Sequence, residues 1–288
     1  MRICTLAILL LLTSITTLGQ PSEDTASHTT GFANVNGVRL HYLDWGGSGE
    51  TLLFITGMGN SAHVYDEFVP EFTDRFRILV LTRRGHGESD KPATGYDVDT
   101  LTEDVRHFLD HMKVKKTHLV GHSAAGNELS SFAAKYPKRT LKLIYLDAAY
   151  FRRDVPAIEA QDPIDPPAPP KKRSEMSERE KIFDEYVRHL TFYEPPYKSI
   201  RAPVLSFYAI FEKYFEELAP DTPPEKRKAA DDFIANVVRP YQRRSIEKLR
   251  REIPGARIIE LTDTHHYFFN DPAKKPEVVK TIRDFLLN

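Results

Sequence analysis

Short apolar runs rich in β-branched and aromatic residues alternate along the chain with longer stretches of helical period. Residues 52–55, 78–81, 118–120, 143–146, 204–208 and 256–261 read as strands, and 62–72, 101–112, 125–136 and 276–287 as helices. The strand runs carry almost no polar alternation, as expected where both faces are covered. The pattern predicts an α/β fold: a mostly parallel, doubly wound sheet of about eight strands between helices. Residues 32–45 form two β-rich runs joined at Asn36-Gly37, a two-residue hairpin signal.

The alternation breaks between about 150 and 200. Pro156, Pro163, Pro166, Pro167, Pro169 and Pro170 make much of this stretch irregular, and 177–190 reads as a helix. It is expected to be a small lid inserted over the strand ends, the alternative being an ordered surface excursion. Residues 211–216 also read as helix, and 225–252 as a long charged helix interrupted near Pro240.

The amino terminus has a different grammar. Arg2 precedes an apolar run, 6–12, and small residues lead to Gln20, the layout of a cleaved signal peptide over 1–19. The expected localisation is secreted or periplasmic, with 20–30 a disordered linker and 31–288 the folded domain. The run is short for a stable membrane span, though an uncleaved anchor is the alternative. Cys4 is the only cysteine, so cleavage would leave neither disulfides nor thiol catalysis. Forty basic and 41 acidic residues offer no field to recruit nucleic acid, which leaves a small molecule as the expected partner.

Candidate chemistry centres on His118-Leu119-Val120-Gly121-His122-Ser123-Ala124-Ala125-Gly126. A strand passes into a helix through a turn with small residues on both sides of Ser123, an arrangement that projects a strained serine above the sheet edge. Gly121 fits G-x-S-x-G, whereas Ala125 takes the second glycine position and Gly126 comes one later. Read alone, a helix N-cap serine is the alternative reading of Ser123.

With Thr82-Arg83-Arg84-Gly85-His86-Gly87-Glu88-Ser89, which is similar to D-x-R-G-x-G-x-S with threonine for the aspartate, the chain from residue 32 onward resembles the α/β-hydrolase superfamily. Thr56-Gly57-Met58-Gly59 stands where relatives carry His-Gly. The resemblance implies an oxyanion hole from the backbone N–H groups of Met58 and Ala124. It also implies a catalytic histidine after the last strand. Two candidates lie in Thr264-His265-His266-Tyr267. An aromatic residue directly after the histidine favours His266, and the spacing to Pro272 favours His265. For the acid that orients it, relatives most often use a position after the strand following the lid, which gives Glu212. A minority use the end of the preceding strand, which gives Asp147. Asp147 is preferred here, with Glu212 left open.

The expected activity is a serine hydrolase, esterase-like, acting without a cofactor through an acyl-enzyme on Ser123, with Asp147 and His266 completing the triad. Relatives that open epoxides or displace halide carry aspartate at the elbow. The lid is expected to line an apolar pocket with Tyr150, Phe151, Tyr193 or Tyr197. Two other readings compete: a hydrolase-like protein that binds a small molecule without turnover, and an NADP-binding oxidoreductase. The latter rests on Gly57-Met58-Gly59-Asn60-Ser61-Ala62, which matches G-x-G-x-x-A, with Arg83 and Arg84 placed to meet a 2′-phosphate.

Overall fold

A computed structural model describes residues 27–214 and 218–288. The proposed signal peptide and most of the proposed linker lie outside the described residues.

Eight strands form one sheet: β1 (Thr29–Val35), β2 (Val38–Gly46), β3 (Thr51–Ile55), β4 (Arg77–Leu81), β5 (Thr117–His122), β6 (Thr140–Leu146), β7 (Val204–Ala209) and β8 (Arg257–Leu261). Their order is 1-2-4-3-5-6-7-8, with β1–β2 and β2–β4 antiparallel and every other pair parallel. The hairpin turns at Asn36 and Gly37, both at positive φ, which suits the asparagine-glycine pair. Every residue of β3, β5 and β7 is buried, as expected of central strands covered on both faces.

The helices are α1 (Val98–His111), α2 (Ala125–Lys135), α3 (Val155–Glu159), α4 (Glu178–Phe192), α5 (Pro224–Phe233), α6 (Arg239–Glu252) and α7 (Lys275–Leu287). Local chemistry fixes their starts. Asp97 accepts from the Thr100 amide to cap α1, and Ser177 and Glu180 form a reciprocal capping box at α4. Both α3 and α4 belong to the long excursion between β6 and β7.

Three local expectations fail and a fourth is borne out. The helix expected over 62–72 is two separate 3₁₀ turns, Ala62–Tyr65 and Val69–Phe72. Pro70 explains the break, because a proline there supplies no N–H to a continuing α-helix. Strand β1 already begins at Thr29, so the linker does not extend to residue 30. Residues 211–214 are not helical; they form an irregular stretch after β7. The expected interruption near Pro240 is a π-helical segment, Ile234–Val238, that joins α5 to α6. A widened turn ahead of Pro240 accommodates the missing N–H.

Candidate active site

The carboxyl ends of β5 and β6 and the loop after β8 converge at one edge of the sheet, where open α/β sheets place their ligands. Strand β5 delivers Ser123 at φ 55, a left-handed conformation that non-glycine residues rarely adopt. The surroundings hold it there. The Ser123 amide donates to the Leu146 carbonyl at 3.2 Å, and the Ser123 carbonyl accepts from the Gly126 amide at 3.0 Å. A side chain at 121 would meet Leu129 at 2.6 Å, so the strand before the turn needs glycine. Gly126 answers to a different constraint: a Cβ there would fall 1.9 Å from the Ala148 carbonyl oxygen, a backbone atom that cannot swing aside. The glycine offset by one position is therefore required by the approach of α2 to the loop after β6.

Asp147 directly follows β6, also left-handed at φ 49, and is fully buried. Its amide donates to the Phe207 carbonyl at 3.0 Å. Oδ2 lies 2.7 Å from Nδ1 of His266. Oδ1 accepts from the Tyr150 hydroxyl at 2.7 Å and from the Ala209 amide at 3.1 Å. Burial pushes the Asp147 carboxyl up to about 6, while the Tyr150 and Ala209 bonds and the nearby Arg152 favour its anion.

His266 is 3% exposed. Because Nδ1 donates to the carboxylate, the neutral ring carries its lone pair on Nε2, the form a general base needs. Its carbonyl accepts from His122 Nε2 at 3.2 Å, and the two rings lie 4.2 Å apart. His122 immediately precedes Ser123, so this contact brings His266 against the elbow. His122 is itself held well below the usual histidine range by burial and by His266.

Met58 and Ala124 are both buried. Gly57 lets the Met58 loop press against Ser123: a Cβ on Gly57 would lie 2.9 Å from His122 Nδ1 and 3.1 Å from the Ser123 Cβ. Among the described residues, neither the Met58 nor the Ala124 amide donates to a backbone acceptor. The two alternative candidates lie elsewhere. Glu212 is exposed, and its carbonyl accepts from Arg239. His265 is exposed, and its Nδ1 accepts from the Tyr267 amide at 3.1 Å, a bond within its own loop.

A sequence profile described as the alpha/beta hydrolase fold matches residues 50–179. The structure superposes on an E-2-(acetamidomethylene)succinate hydrolase with a TM-score of 0.64 at 19% identity, covering 91% of this chain and 100% of that one. The chain has the α/β-hydrolase fold. Curated relatives in the superfamily include a soluble epoxide hydrolase of Corynebacterium sp. strain C12, 34% identical over 117 residues, 40% of each chain. Another is a 2-(acetamidomethylene)succinate hydrolase of Mesorhizobium japonicum, 33% identical over 101 residues, 35% of this chain and 36% of its own. These alignments span well under half the length of the relatives they match.

Within this α/β-hydrolase architecture, α4 lies over the elbow. Tyr186 and Leu190 pack in a small apolar cluster with Met58, Ala124, Tyr96 and Leu101. The cluster rests on a buried ion pair, in which Arg83 Nε donates to Glu128 Oε2 at 3.1 Å and the guanidinium sits 5.0 Å from the Tyr186 ring centroid. Arg84 is likewise paired, with both of its bonds to Asp104 at 2.8 Å. Both arginines are thus committed to carboxylates rather than offered to a phosphate.

Of the expected pocket residues, Tyr150 is buried against the acid rather than lining a pocket, and Tyr197 is buried. Phe151 and Tyr193 are half-buried. Sequence reading missed three supporting residues. The Tyr150 hydroxyl binds Asp147. Arg152, 4% exposed, donates from Nη2 to the Ser123 carbonyl at 3.0 Å. Asn60 Nδ2 donates to the Tyr267 hydroxyl at 3.2 Å, linking the Met58 loop to the histidine loop. No periodicity marks such residues; they are visible only once the loops fold together.

Proposed function

We propose that this chain is an exported serine hydrolase that cleaves an ester or related acyl bond of a small molecule through an acyl-enzyme on Ser123. The observation that carries the reading is the 2.7 Å bond between Asp147 and His266, on a histidine packed against the residue before an elbow serine.

In the proposed mechanism His266 Nε2 takes the Ser123 hydroxyl proton as Oγ attacks the acyl carbon. Asp147 keeps the ring in the productive tautomer and stabilises the imidazolium. The Met58 and Ala124 amides receive the developing oxyanion, each contributing a few kcal/mol. His266 then protonates the departing alcohol as the acyl–oxygen bond breaks. Water, deprotonated by the same ring, releases the acid and restores Ser123. The named relatives act on an epoxide and on an acetamidomethylene-succinate. Serine rather than aspartate at the elbow favours the acyl chemistry. The apolar run and small residues of 1–19 support export.

Stopped-flow hydrolysis of a p-nitrophenyl ester panel tests the reading. A burst of one equivalent of p-nitrophenol followed by slower turnover is expected, absent in Ser123→Ala. Asp147→Asn should lower kcat on the order of 10⁴-fold, and Glu212→Gln should leave it unchanged. A large loss in Glu212→Gln with Asp147→Asn near wild type would overturn the choice of acid. A folded wild type inert to every ester and amide would leave a small-molecule binder as the better account.

A further inference from the structure

We propose that His28, His63 and Asp66 form a binding site for a divalent transition-metal ion of the Zn²⁺ class, separate from the residues assigned to catalysis. Their ligand atoms all lie within 4.8 Å of one another, the one such grouping of three among the described residues.

The chain builds this arrangement from two distant segments. His63 and Asp66 are three positions apart on the 3₁₀ turn Ala62–Tyr65 and its C-cap, and this helix type places side chains at i and i+3 directly over one another. His63 Nδ1 and Asp66 Oδ2 are already 2.8 Å apart. His28 reaches the pair from the residue before β1, with its ring 5.7 Å from that of His63. Trp45 and His41 pack around them: the Trp45 ring lies 4.7 Å from His28, and His41 stacks on His63 at 6.0 Å. His41 is engaged with the Thr82 hydroxyl and is not counted as a ligand.

The donor set selects the ion. Two imidazole nitrogens and one carboxylate oxygen suit zinc and its first-row neighbours, whereas calcium and magnesium prefer an all-oxygen shell. A tetrahedral site with bonds of about 2.0–2.1 Å has ligand atoms about 3.3 Å apart. To reach that geometry the His63–Asp66 pair, now 2.8 Å apart, would open slightly, and any longer separation, at most 4.8 Å, would close through small side-chain rotations. The ion would take the place of the His63–Asp66 hydrogen bond, and water would take the fourth position.

The site would also have a structural consequence. The turn that carries His63 follows the Met58 loop and is tied to it: Tyr65 donates to the Ile55 carbonyl, the Ala62 amide to Thr82 Oγ1, and Asn270 to the Val64 carbonyl. A bound ion would pin the start of β1 to the turn that supports the oxyanion loop.

The test uses tag-free full-length protein, stripped with chelator and titrated with Zn²⁺ alone by calorimetry, with metal content after desalting and thermal midpoint as parallel readouts. One Zn²⁺ per chain and a raised midpoint are expected for wild type, with Ca²⁺ and Mg²⁺ giving neither. His28→Ala removes a ligand outside the regular strands, so its fold should persist while stoichiometric binding is lost. His63→Ala and Asp66→Asn should lose binding as well. Wild type that retains no Zn²⁺, or His28→Ala and His63→Ala variants that bind as wild type does, would overturn the proposal, as would equally tight binding of Ca²⁺.

Discussion

Tyr150 shows how much one hydroxyl can set. It donates to Asp147 Oδ1 at 2.7 Å, on the far side of the carboxylate from His266. Asp147 is buried and its carboxyl stands at about 6, above the ordinary value of 3.8. A raised folded-state value means that the site adds stability below about pH 4 and loses it as pH rises towards 6, roughly 3 kcal/mol in all. The molecule therefore bears a stability cost at the pH where an ionised acid is useful. In the proposed mechanism activity needs the anion, so kcat/KM should fall on acidification with an apparent midpoint near 6 that belongs to the Asp147–His266 pair. Removing a donor to the anion raises the carboxyl further. Tyr150→Phe should thus move the acid limb upward by about one pH unit, with little change on the neutral plateau. A pH profile that superposes on wild type would show that the hydroxyl does not tune the acid. Sequence alone left the acid open between Asp147 and Glu212, because both follow strands. Their difference lies in burial and reach, which only the folded loops decide.

At the scale of elements, the lid helix, the elbow helix and the loop after β4 meet at Arg83 and Glu128, with Tyr186 over the guanidinium. Both charges are almost completely buried. Arg83→Met would leave Glu128 desolvated without its cation, and urea denaturation should register a loss of about 3–5 kcal/mol. Arg83→Met combined with Glu128→Leu should recover most of that loss, since an apolar pair carries no uncompensated charge. A single-variant loss below about 1 kcal/mol would contradict the view that this pair anchors the lid. The elements themselves were unevenly legible. Buried strands and capped helices announce themselves through apolar runs and through pairs such as Ser177 and Glu180. The segment 62–72 has the apolar content of a helix, and only Pro70 signals that it is two turns. The π-helical segment before Pro240 leaves no compositional mark at all.

Across the whole molecule, the alternation of strands and helices predicted a mostly parallel sheet, and the observed eight-stranded sheet bears this out. The 1-2-4-3 crossing of the first half was not predicted, because local pattern does not encode which strand neighbours which. That crossing sets β3 beside β5 and so brings the Gly57–Met58 loop to Ser123. The elbow and the acid end neighbouring strands, and the histidine comes from a segment more than 100 residues further along the chain that this topology brings to them. The central claim is that their union activates Ser123. Intact-mass analysis of the purified protein after exposure to a fluorophosphonate tests it most directly. One adduct per wild-type chain and none on Ser123→Ala is the predicted result; an unlabelled, folded wild type, or equal labelling of the variant, would contradict it.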